Sequence, residues 1–133
     1  MEQKKKFAII GCGGIANAAH YWAYDCNQDA RLVAFCDIVI EKAYAAADRF
    51  GVSRDMCFES YEELFDKVEL DAVDICTPNY LHSIIAVAAL NRGINVICEK
   101  PDAVSVSEAL KMKEAAEKNG KTLMVMRDNR YRP

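Results

Sequence analysis

The alternation of short apolar runs with longer amphipathic segments constrains the fold of this chain most strongly. The six apolar runs are Lys6–Ile10, Arg31–Cys36, Met56–Phe58, Ala72–Cys76, Asn95–Cys98 and Thr122–Met126. Continuous apolar strands that alternate with helices are typical of a parallel sheet covered on both faces. Because crossovers between parallel strands are right-handed, the pattern predicts an α/β fold, a doubly wound parallel six-stranded sheet in three αβα layers.

Residues at helix boundaries mark the segments between these strands. We expect helices over Ile15–Tyr24, over Ile40–Phe50, from Ser60 to about Lys67, over Leu81–Arg92 and from Ser105 to Asn119. Two of these helices open on a Ser-x-x-Glu capping box, which begins at Ser60 and at Ser105. Gly51, Gly93 and Gly120 follow three of the helices, where glycine is the usual C-terminal cap.

Size and charge limit the function classes that this chain can belong to. A length of 133 residues is typical of one domain, so residues 1–133 are predicted to fold as a single unit. The net charge of −3 argues against a nucleic-acid or anionic-membrane partner, which would need a basic surface. The longest apolar run, Ile84–Leu90, is too short to span a membrane, and no signal peptide is recognisable. We therefore expect a cytoplasmic protein.

The cysteines do not form a metal-binding or disulfide pattern. The chain has six cysteines and two histidines, but no two cysteines make a C-x-x-C pair. Cys36, Cys76 and Cys98 lie in or at the end of apolar runs. We expect them to be small buried hydrophobic residues in a reducing compartment, and we predict no metal site.

A glycine-rich turn follows the first predicted strand and opens the first predicted helix. Its residues are Gly11, Cys12, Gly13, Gly14, Ile15 and Ala16, which fit the pattern G-x-G-x-x-G/A. In such a turn the first glycine allows the tight bend. The second lets a pyrophosphate approach the backbone, and the third small residue lets the helix pack against the sheet. The turn therefore predicts a dinucleotide or a related adenosyl ligand, with its phosphates at the helix N-terminus.

Asp37 ends the second predicted strand, at the distance from the turn where a carboxylate accepts the adenosine ribose hydroxyls. The same carboxylate would repel a 2′-phosphate, and no arginine follows at Ile38, Val39 or Ile40. This favours NAD over NADP. The alternative interpretation is an aspartate that stabilises the start of the next helix.

Two more loops follow the fourth and fifth strands, at the edge where open α/β sheets bind ligands. The first contains Thr77, Pro78, Asn79 and His82, and the second reads Glu99, Lys100 and Pro101. Taken singly, these residues have ordinary interpretations. His82 in a first helical turn would be a surface residue, and Glu99 with Lys100 would be an exposed charge pair.

Taken together and in this order, these motifs resemble one family of NAD(P)-binding Rossmann-fold oxidoreductases. They are the glycine turn, the strand-end Asp37, Thr-Pro-Asn-x-x-His and Glu-Lys-Pro. The family is Gfo/Idh/MocA, named after glucose–fructose oxidoreductase, inositol dehydrogenase and rhizopine catabolism. The resemblance covers essentially the whole chain and includes its ending, Asn129–Pro133.

The resemblance implies a role for each matching position. Gly11–Ala16 would surround the cofactor pyrophosphate, and Asp37 would hold the adenosine ribose. Thr77, Pro78, Asn79 and His82 would line the path toward the nicotinamide. Glu99, Lys100 and Pro101 would form the loop beside the nicotinamide ribose and the substrate, with Lys100 as the catalytic residue. A cation there would lower the pKa of the substrate hydroxyl that loses its proton.

The resemblance also implies a second domain that these 133 residues do not contain. In the family, a C-terminal domain carries the substrate pocket, much of the interface of a homo-oligomer and an aspartate–histidine pair for proton transfer. Neither His20 nor His82 can be assigned to that pair by position. We therefore expect the cofactor domain of an NAD-dependent oxidoreductase for a sugar, polyol or related substrate, able to bind nucleotide but catalytically incomplete.

The sequence leaves two alternatives open. A non-catalytic NAD-sensing or interaction module would have the same fold and would bind NAD without turnover. An S-adenosylmethionine methyltransferase also combines a glycine turn with an acidic strand end. That fold normally has an antiparallel strand near its end, which the pattern of this chain does not predict.

Overall fold

Strands and helices alternate along the whole described chain. The computed structural model describes residues 3–101 and 103–126, and the ending Asn129–Pro133 lies outside them. The strands are β1 (Lys5–Ile10), β2 (Ala30–Cys36), β3 (Cys57–Phe58), β4 (Ala72–Ile75), β5 (Asn95–Cys98) and β6 (Leu123–Val125). The α-helices are α1 (Tyr21–Cys26), α2 (Ile40–Phe50), α3 (Tyr61–Lys67), α4 (His82–Asn91) and α5 (Val106–Asn119). Short 3₁₀ turns cover Arg54–Met56 and Asn79–Leu81, and a π-helical turn, Ala16–His20, leads into α1.

The sheet has the predicted doubly wound arrangement. Its strand order is β3-β2-β1-β4-β5-β6, and all five pairings are parallel. The chain moves outward from β1 to one edge and then returns to continue from β4 to the other edge. This creates a topological switch point between β1 and β4. Among the described residues no strand is antiparallel, which argues against the methyltransferase alternative.

Each face of the sheet has its own hydrophobic core, so the three-layer prediction is confirmed. Ala8 and Ile10 of β1 point to the face covered by α3, α4 and α5, where they join a buried cluster. Ile9 points to the opposite face and packs with Tyr21 of α1. The alternation follows from the two-residue period of a strand. Both faces of the central strands are therefore withdrawn from water.

The predicted helix caps are present. Ser60 Oγ accepts the N–H of Glu63 at 3.3 Å. The equivalent bond joins Ser105 Oγ to the N–H of Glu108 at 3.2 Å. Gly120 adopts φ +61°, a left-handed conformation that lets its N–H reach the last carbonyls of α5. These local contacts explain why helix positions followed so closely from the sequence.

Four of the six cysteines are buried, whereas Cys26 is exposed. All six are free thiols, and Cys36, Cys76 and Cys98 are buried as predicted. Burial raises the pKa of the Cys36 thiol to about 12, so it is uncharged at neutral pH.

The helices give no indication of a membrane span. Within residues 3–101 and 103–126, none is both long enough and apolar enough to cross a bilayer.

Candidate functional site

The loops with the predicted site residues leave the sheet at the same level. Ile10 at the end of β1 pairs with Cys36 at the end of β2 and with Ile75 at the end of β4. Ile75 in turn pairs with Cys98, the last residue of β5. The glycine turn, Asp37 and the loops after β4 and β5 therefore begin side by side at the carboxyl edge, around the switch point.

The glycine turn passes very close to the start of the loop after β4. Gly11 has φ +94°, and a Cβ there would lie 2.8 Å from the carbonyl carbon of Cys76. Only glycine fits both the conformation and the space. Gly13 and Gly14 differ, because a Cβ on either would meet no atom within 4 Å. The space beside their backbone is open to a ligand.

Asn17 stabilises the glycine turn, which the sequence motif does not reveal. Its Nδ2 donates to the carbonyl oxygens of Gly13 at 2.7 Å and Cys12 at 3.2 Å. Both carbonyls are therefore held toward the helix. The only sequence signal was a polar residue one turn into the predicted helix.

Asp37 joins the glycine turn to the start of α2. Its Oδ2 accepts the N–H of Cys12 at 2.9 Å, and its Oδ1 accepts the N–H of Val39 at 2.8 Å. Asp37 therefore links the glycine turn to Val39, the residue before α2, and it also lines the groove beside the turn. Lys42, which sequence reasoning did not consider, lines the same groove.

The groove beside the glycine turn is a cavity of about 430 Å³ whose lining includes exposed apolar side chains. Ile38, which follows Asp37, is 86% exposed, and Tyr80 is 60% exposed. Thr77 also lines the groove, but its hydroxyl is buried and has no hydrogen-bond partner among the described residues. The groove thus offers apolar surface to a ligand, with an unsatisfied hydroxyl just beneath its lining.

His82 connects the two loops instead of pointing to solvent. It is 1% exposed, so the surface position expected for a first-turn histidine is wrong. Its Nδ1 hydrogen-bonds the carbonyl oxygen of Pro101 at 2.7 Å, and its Nε2 that of Thr77 at 2.8 Å. The Lys100–Pro101 peptide bond, within the loop after β5, is cis. His82 therefore fixes the distance between the loops after β4 and β5.

A buried acid–histidine cluster lies beneath the loop after β5, and sequence reasoning missed it. His20, from the π-helical turn, hydrogen-bonds Asp74 of β4 through Nδ1 at 2.7 Å and Glu99 through Nε2. Tyr24 O–H donates to the same Asp74 carboxylate at 3.0 Å. The Cys76 thiol donates to its other oxygen at 3.6 Å. His20 and Asp74 are 6% and 2% exposed, respectively.

The charge of this cluster follows from its contacts. Burial alone would lower the pKa of His20, but the hydrogen bond and charge of Asp74, with further contributions from Glu99, raise it to about 9. His20 is therefore an imidazolium at neutral pH and donates from both ring nitrogens. A ring nitrogen of His20, a carboxylate oxygen of Asp74 and the Cys76 Sγ lie within 4.8 Å of one another, a spacing at which they could hold a metal ion. The contacts that the structure shows among these side chains are hydrogen bonds, in which an imidazolium acts as a donor only.

Glu99 and Lys100 stand at the junction between this cluster and the surface. The Glu99 side chain is 15% exposed, whereas Lys100 is exposed. Glu99 Oε2 accepts the backbone N–H of Lys100 at 3.3 Å. Both residues line a second cavity of about 300 Å³, next to His20 and Ile15. Lys100 thus lies at a cavity that Glu99 also lines, and the Glu99 carboxylate is held by its hydrogen bond to the buried His20.

Comparison with known proteins identifies the family. A family model described as "Oxidoreductase family, NAD-binding Rossmann fold" (Gfo/Idh/MocA) matches residues 5–127. The chain belongs to the Gfo/Idh/MocA family. The resemblance inferred from the motifs is confirmed, and the chain is an NAD-binding oxidoreductase domain related to sugar and polyol dehydrogenases.

Similar members of the Gfo/Idh/MocA family include two bacterial sugar dehydrogenases. D-glucoside 3-dehydrogenase of Escherichia coli is 35% identical over 118 residues, which cover 89% of this chain and 33% of that protein. Glucose-6-phosphate 3-dehydrogenase of Bacillus subtilis is 40% identical over 114 residues, covering 86% and 31%. The chain therefore spans about a third of the length of these relatives.

Solved Gfo/Idh/MocA structures have the same fold. The dehydrogenase WlbA of Chromobacterium violaceum, in complex with NADH and UDP-GlcNAcA, superposes with a TM-score of 0.90 at 33% identity. The match covers 97% of this chain and 36% of that one. The six-stranded Rossmann-like architecture is thus shared with a dehydrogenase that binds NADH.

Proposed function

We propose that this chain is the cofactor-binding half of an oxidoreductase that transfers a hydride between a nicotinamide cofactor and a sugar, polyol or related carbinol or carbonyl substrate. The main support is the arrangement of four segments at one edge of the sheet. The glycine turn, Asp37 and the loops after β4 and β5 surround the switch point. In open α/β sheets this is where dinucleotides bind.

The residues of the groove fit a dinucleotide. The open space beside Gly13 and Gly14 would admit the pyrophosphate, which Gly11–Ala16 would hold through backbone N–H groups at the helix start. The exposed apolar surfaces of Ile38 and Tyr80 would contact the adenine ring. Thr77, with its unsatisfied hydroxyl, would face the middle of the cofactor, beside Pro78 and Asn79. When bound, NAD would supply the carbon that accepts or donates the hydride.

Asp37 favours NAD over NADP in this proposal. Its two oxygens already accept backbone N–H groups, and each keeps a lone pair for a ribose hydroxyl. A 2′-phosphate would bring a second negative charge against this carboxylate, at a cost of several-fold in affinity or more. Lys42 in the same groove would offset part of that repulsion. We therefore expect discrimination against NADP rather than its exclusion.

Lys100 is the catalytic residue in this proposal, and His82 has a supporting part. The exposed Lys100 ammonium would lie beside the substrate hydroxyl, where it favours loss of the proton as hydride leaves. His82 would keep the loop of Pro101 at its distance from Thr77, and thereby keep Lys100 near the nicotinamide. The substrate-binding residues would come from a second domain, so this chain alone should not turn over substrate.

Titration of the 133-residue chain with NADH and NADPH tests the proposal. We expect saturable enhancement of NADH fluorescence, with weaker binding of NADPH. S-adenosylmethionine should not compete. Absence of NADH binding at millimolar concentration would contradict the proposed function. A Gly13→Val chain provides the matched control, because the added side chain enters the open space, in which a Cβ meets no atom within 4 Å.

A further inference from the structure

His20 is buried at a point where two carboxylates would otherwise face each other. It lies between Asp74 at the end of β4 and Glu99 at the end of β5, one on each ring nitrogen. Two carboxylates on opposite sides of one imidazole ring repel each other strongly where little water screens them. The imidazolium between them removes that repulsion and gives each carboxylate a charge-assisted hydrogen bond.

His20 is the last residue of a π-helical turn and is buried, as is Ala16 four residues before it, whereas Ala18 and Ala19 are exposed. Tyr21 N–H donates to Ala16 O, so Ala16–His20 form a wide turn with one residue more than an α-helical turn. Such turns inside helices are frequent at functional sites.

We propose that His20 is a positioning residue for the nicotinamide half of the site: bonded to Asp74 and Glu99 at once, it fixes the Glu99 carboxylate in the orientation that accepts the hydroxyls of the nicotinamide ribose. The inference rests on the proposed dinucleotide function. A carboxylate has about four acceptor positions. In Glu99, His20 takes one on Oε1 and the Lys100 N–H takes one on Oε2. The remaining positions are available to a ribose diol.

The groups that face His20 come from three elements. They are Asp74 and Cys76 at the end of β4, Glu99 and Lys100 at the end of β5, and Tyr24 of α1. Tyr24 and Cys76 are both neutral at physiological pH, because burial raises the pKa of each. The balance of charge at Glu99 therefore depends on His20 and Lys100. A neutral His20 would keep one N–H for two carboxylates. Because Asp74 contributes more than Glu99 to the raised pKa of His20, Glu99 would lose its hydrogen bond.

Comparison of NADH with ADP separates this role from general stability. ADP contains the adenosine and pyrophosphate part and lacks the nicotinamide ribose. In His20→Gln we expect the dissociation constant for NADH to rise about tenfold, the worth of one charge-assisted hydrogen bond, with that for ADP unchanged. In the wild-type chain the preference for NADH over ADP should fall above about pH 9, where His20 loses its proton. His20→Gln should show no such fall.

Tyr24→Phe is the matched control. It removes a hydrogen bond to the same Asp74 carboxylate but leaves the contact of His20 with Glu99 intact. We expect it to preserve the preference for NADH over ADP. An equal loss of that preference in Tyr24→Phe and His20→Gln, or an equal weakening of NADH and ADP in His20→Gln, would overturn the inference. If the wild-type chain bound neither nucleotide, the proposed function would fail and the inference with it.

The ¹H–¹⁵N signals of the His20 ring provide a test that does not need nucleotide. In Glu99→Gln the pKa of His20 should fall, because one of its two anionic partners is lost. An unchanged titration would show that Glu99 and His20 are not coupled, and would overturn the inference even if the chain bound NADH.

Discussion

A Cβ on Gly11 would lie 2.8 Å from the carbonyl carbon of Cys76 and 2.9 Å from its carbonyl oxygen. Gly11→Ala must therefore displace backbone and also hold alanine at φ +94°. We expect it to lower the free energy of unfolding by about 3 kcal/mol. Urea unfolding of Gly11→Ala beside Gly13→Ala checks this, since a Cβ at Gly13 meets nothing. Similar losses of unfolding free energy in both variants would contradict the close approach of Gly11 to Cys76.

Gly13→Val should separate nucleotide binding from folding. The valine side chain would occupy the open space beside the turn, where the pyrophosphate is expected. We expect no detectable NADH binding by fluorescence, with an unfolding transition close to that of the wild-type chain. Retained NADH affinity would show that the phosphates bind elsewhere.

Asp37 and Lys42 should set cofactor preference together, because both line the groove beside the turn. Asp37→Ser removes the negative charge, so NADH binding should weaken and NADPH binding should improve. Adding Lys42→Ala to Asp37→Ser should cancel the gain for NADPH, since none of the described residues that line the groove would then be a cation able to attract the 2′-phosphate. Titrations of both variants with both cofactors measure this. Unchanged preference in Asp37→Ser would contradict the ribose assignment.

The titration of His20 should make stability depend on pH. Its pKa is raised from 6.5 to about 9 in the folded chain, because the contacts to Asp74 and Glu99 outweigh burial. The folded state thus binds this proton more tightly than the unfolded chain. The stabilisation is fully present below pH 6.5 and is lost as pH rises through about 9. The raised pKa corresponds to on the order of 3 kcal/mol.

Urea unfolding of the wild-type chain and His20→Gln, from about pH 6 to about pH 10, isolates this contribution. The groups that titrate in both chains cancel in the comparison. The difference in unfolding free energy should shrink as pH rises. A constant difference would mean that His20 carries no raised pKa.

Lys100→Ala should affect turnover far more than cofactor binding. We expect this in a protein that joins this domain to the substrate domain implied by the family, because the exposed ammonium would act on the reacting hydroxyl. Steady-state kinetics should show a lower kcat with a nearly unchanged dissociation constant for NADH. Unaffected turnover would make Lys100 a structural residue.

Much of the fold was predictable because its determinants are local. The capping boxes at Ser60 and Ser105 and the terminal glycine Gly120 act within a few residues, and the helices begin and end where they indicated. The glycine-turn motif likewise identified Gly11, but it did not predict the close approach of Gly11 to Cys76. Periodicity likewise predicted parallel strands in three layers.

The first helix shows where local reasoning fails. Its residues predicted a helix and the structure has one, but a π-helical turn interrupts the regular pattern at Ala16–His20. Composition does not distinguish a π turn from an α turn, since both suit the same residues. His20 lies four residues after Ala16 on the same helix face, but nothing in the sequence shows that this face meets Asp74 and Glu99.

The sequence by itself determined that this protein is a doubly wound α/β domain with a glycine turn between its first strand and the helix that follows, because strand and helix periodicity and turn chemistry are encoded in short stretches of sequence. Only the tertiary structure decided that His20 meets Asp74, 54 residues away, and Glu99, 79 residues away. Parallel strands bring distant strand ends to one edge, so contacts there depend on strand order and register. The same physics brought Lys42 and Tyr80 to the lining of one groove with Asp37. The charge of the site and the orientation of its side chains therefore depend on the assembled sheet.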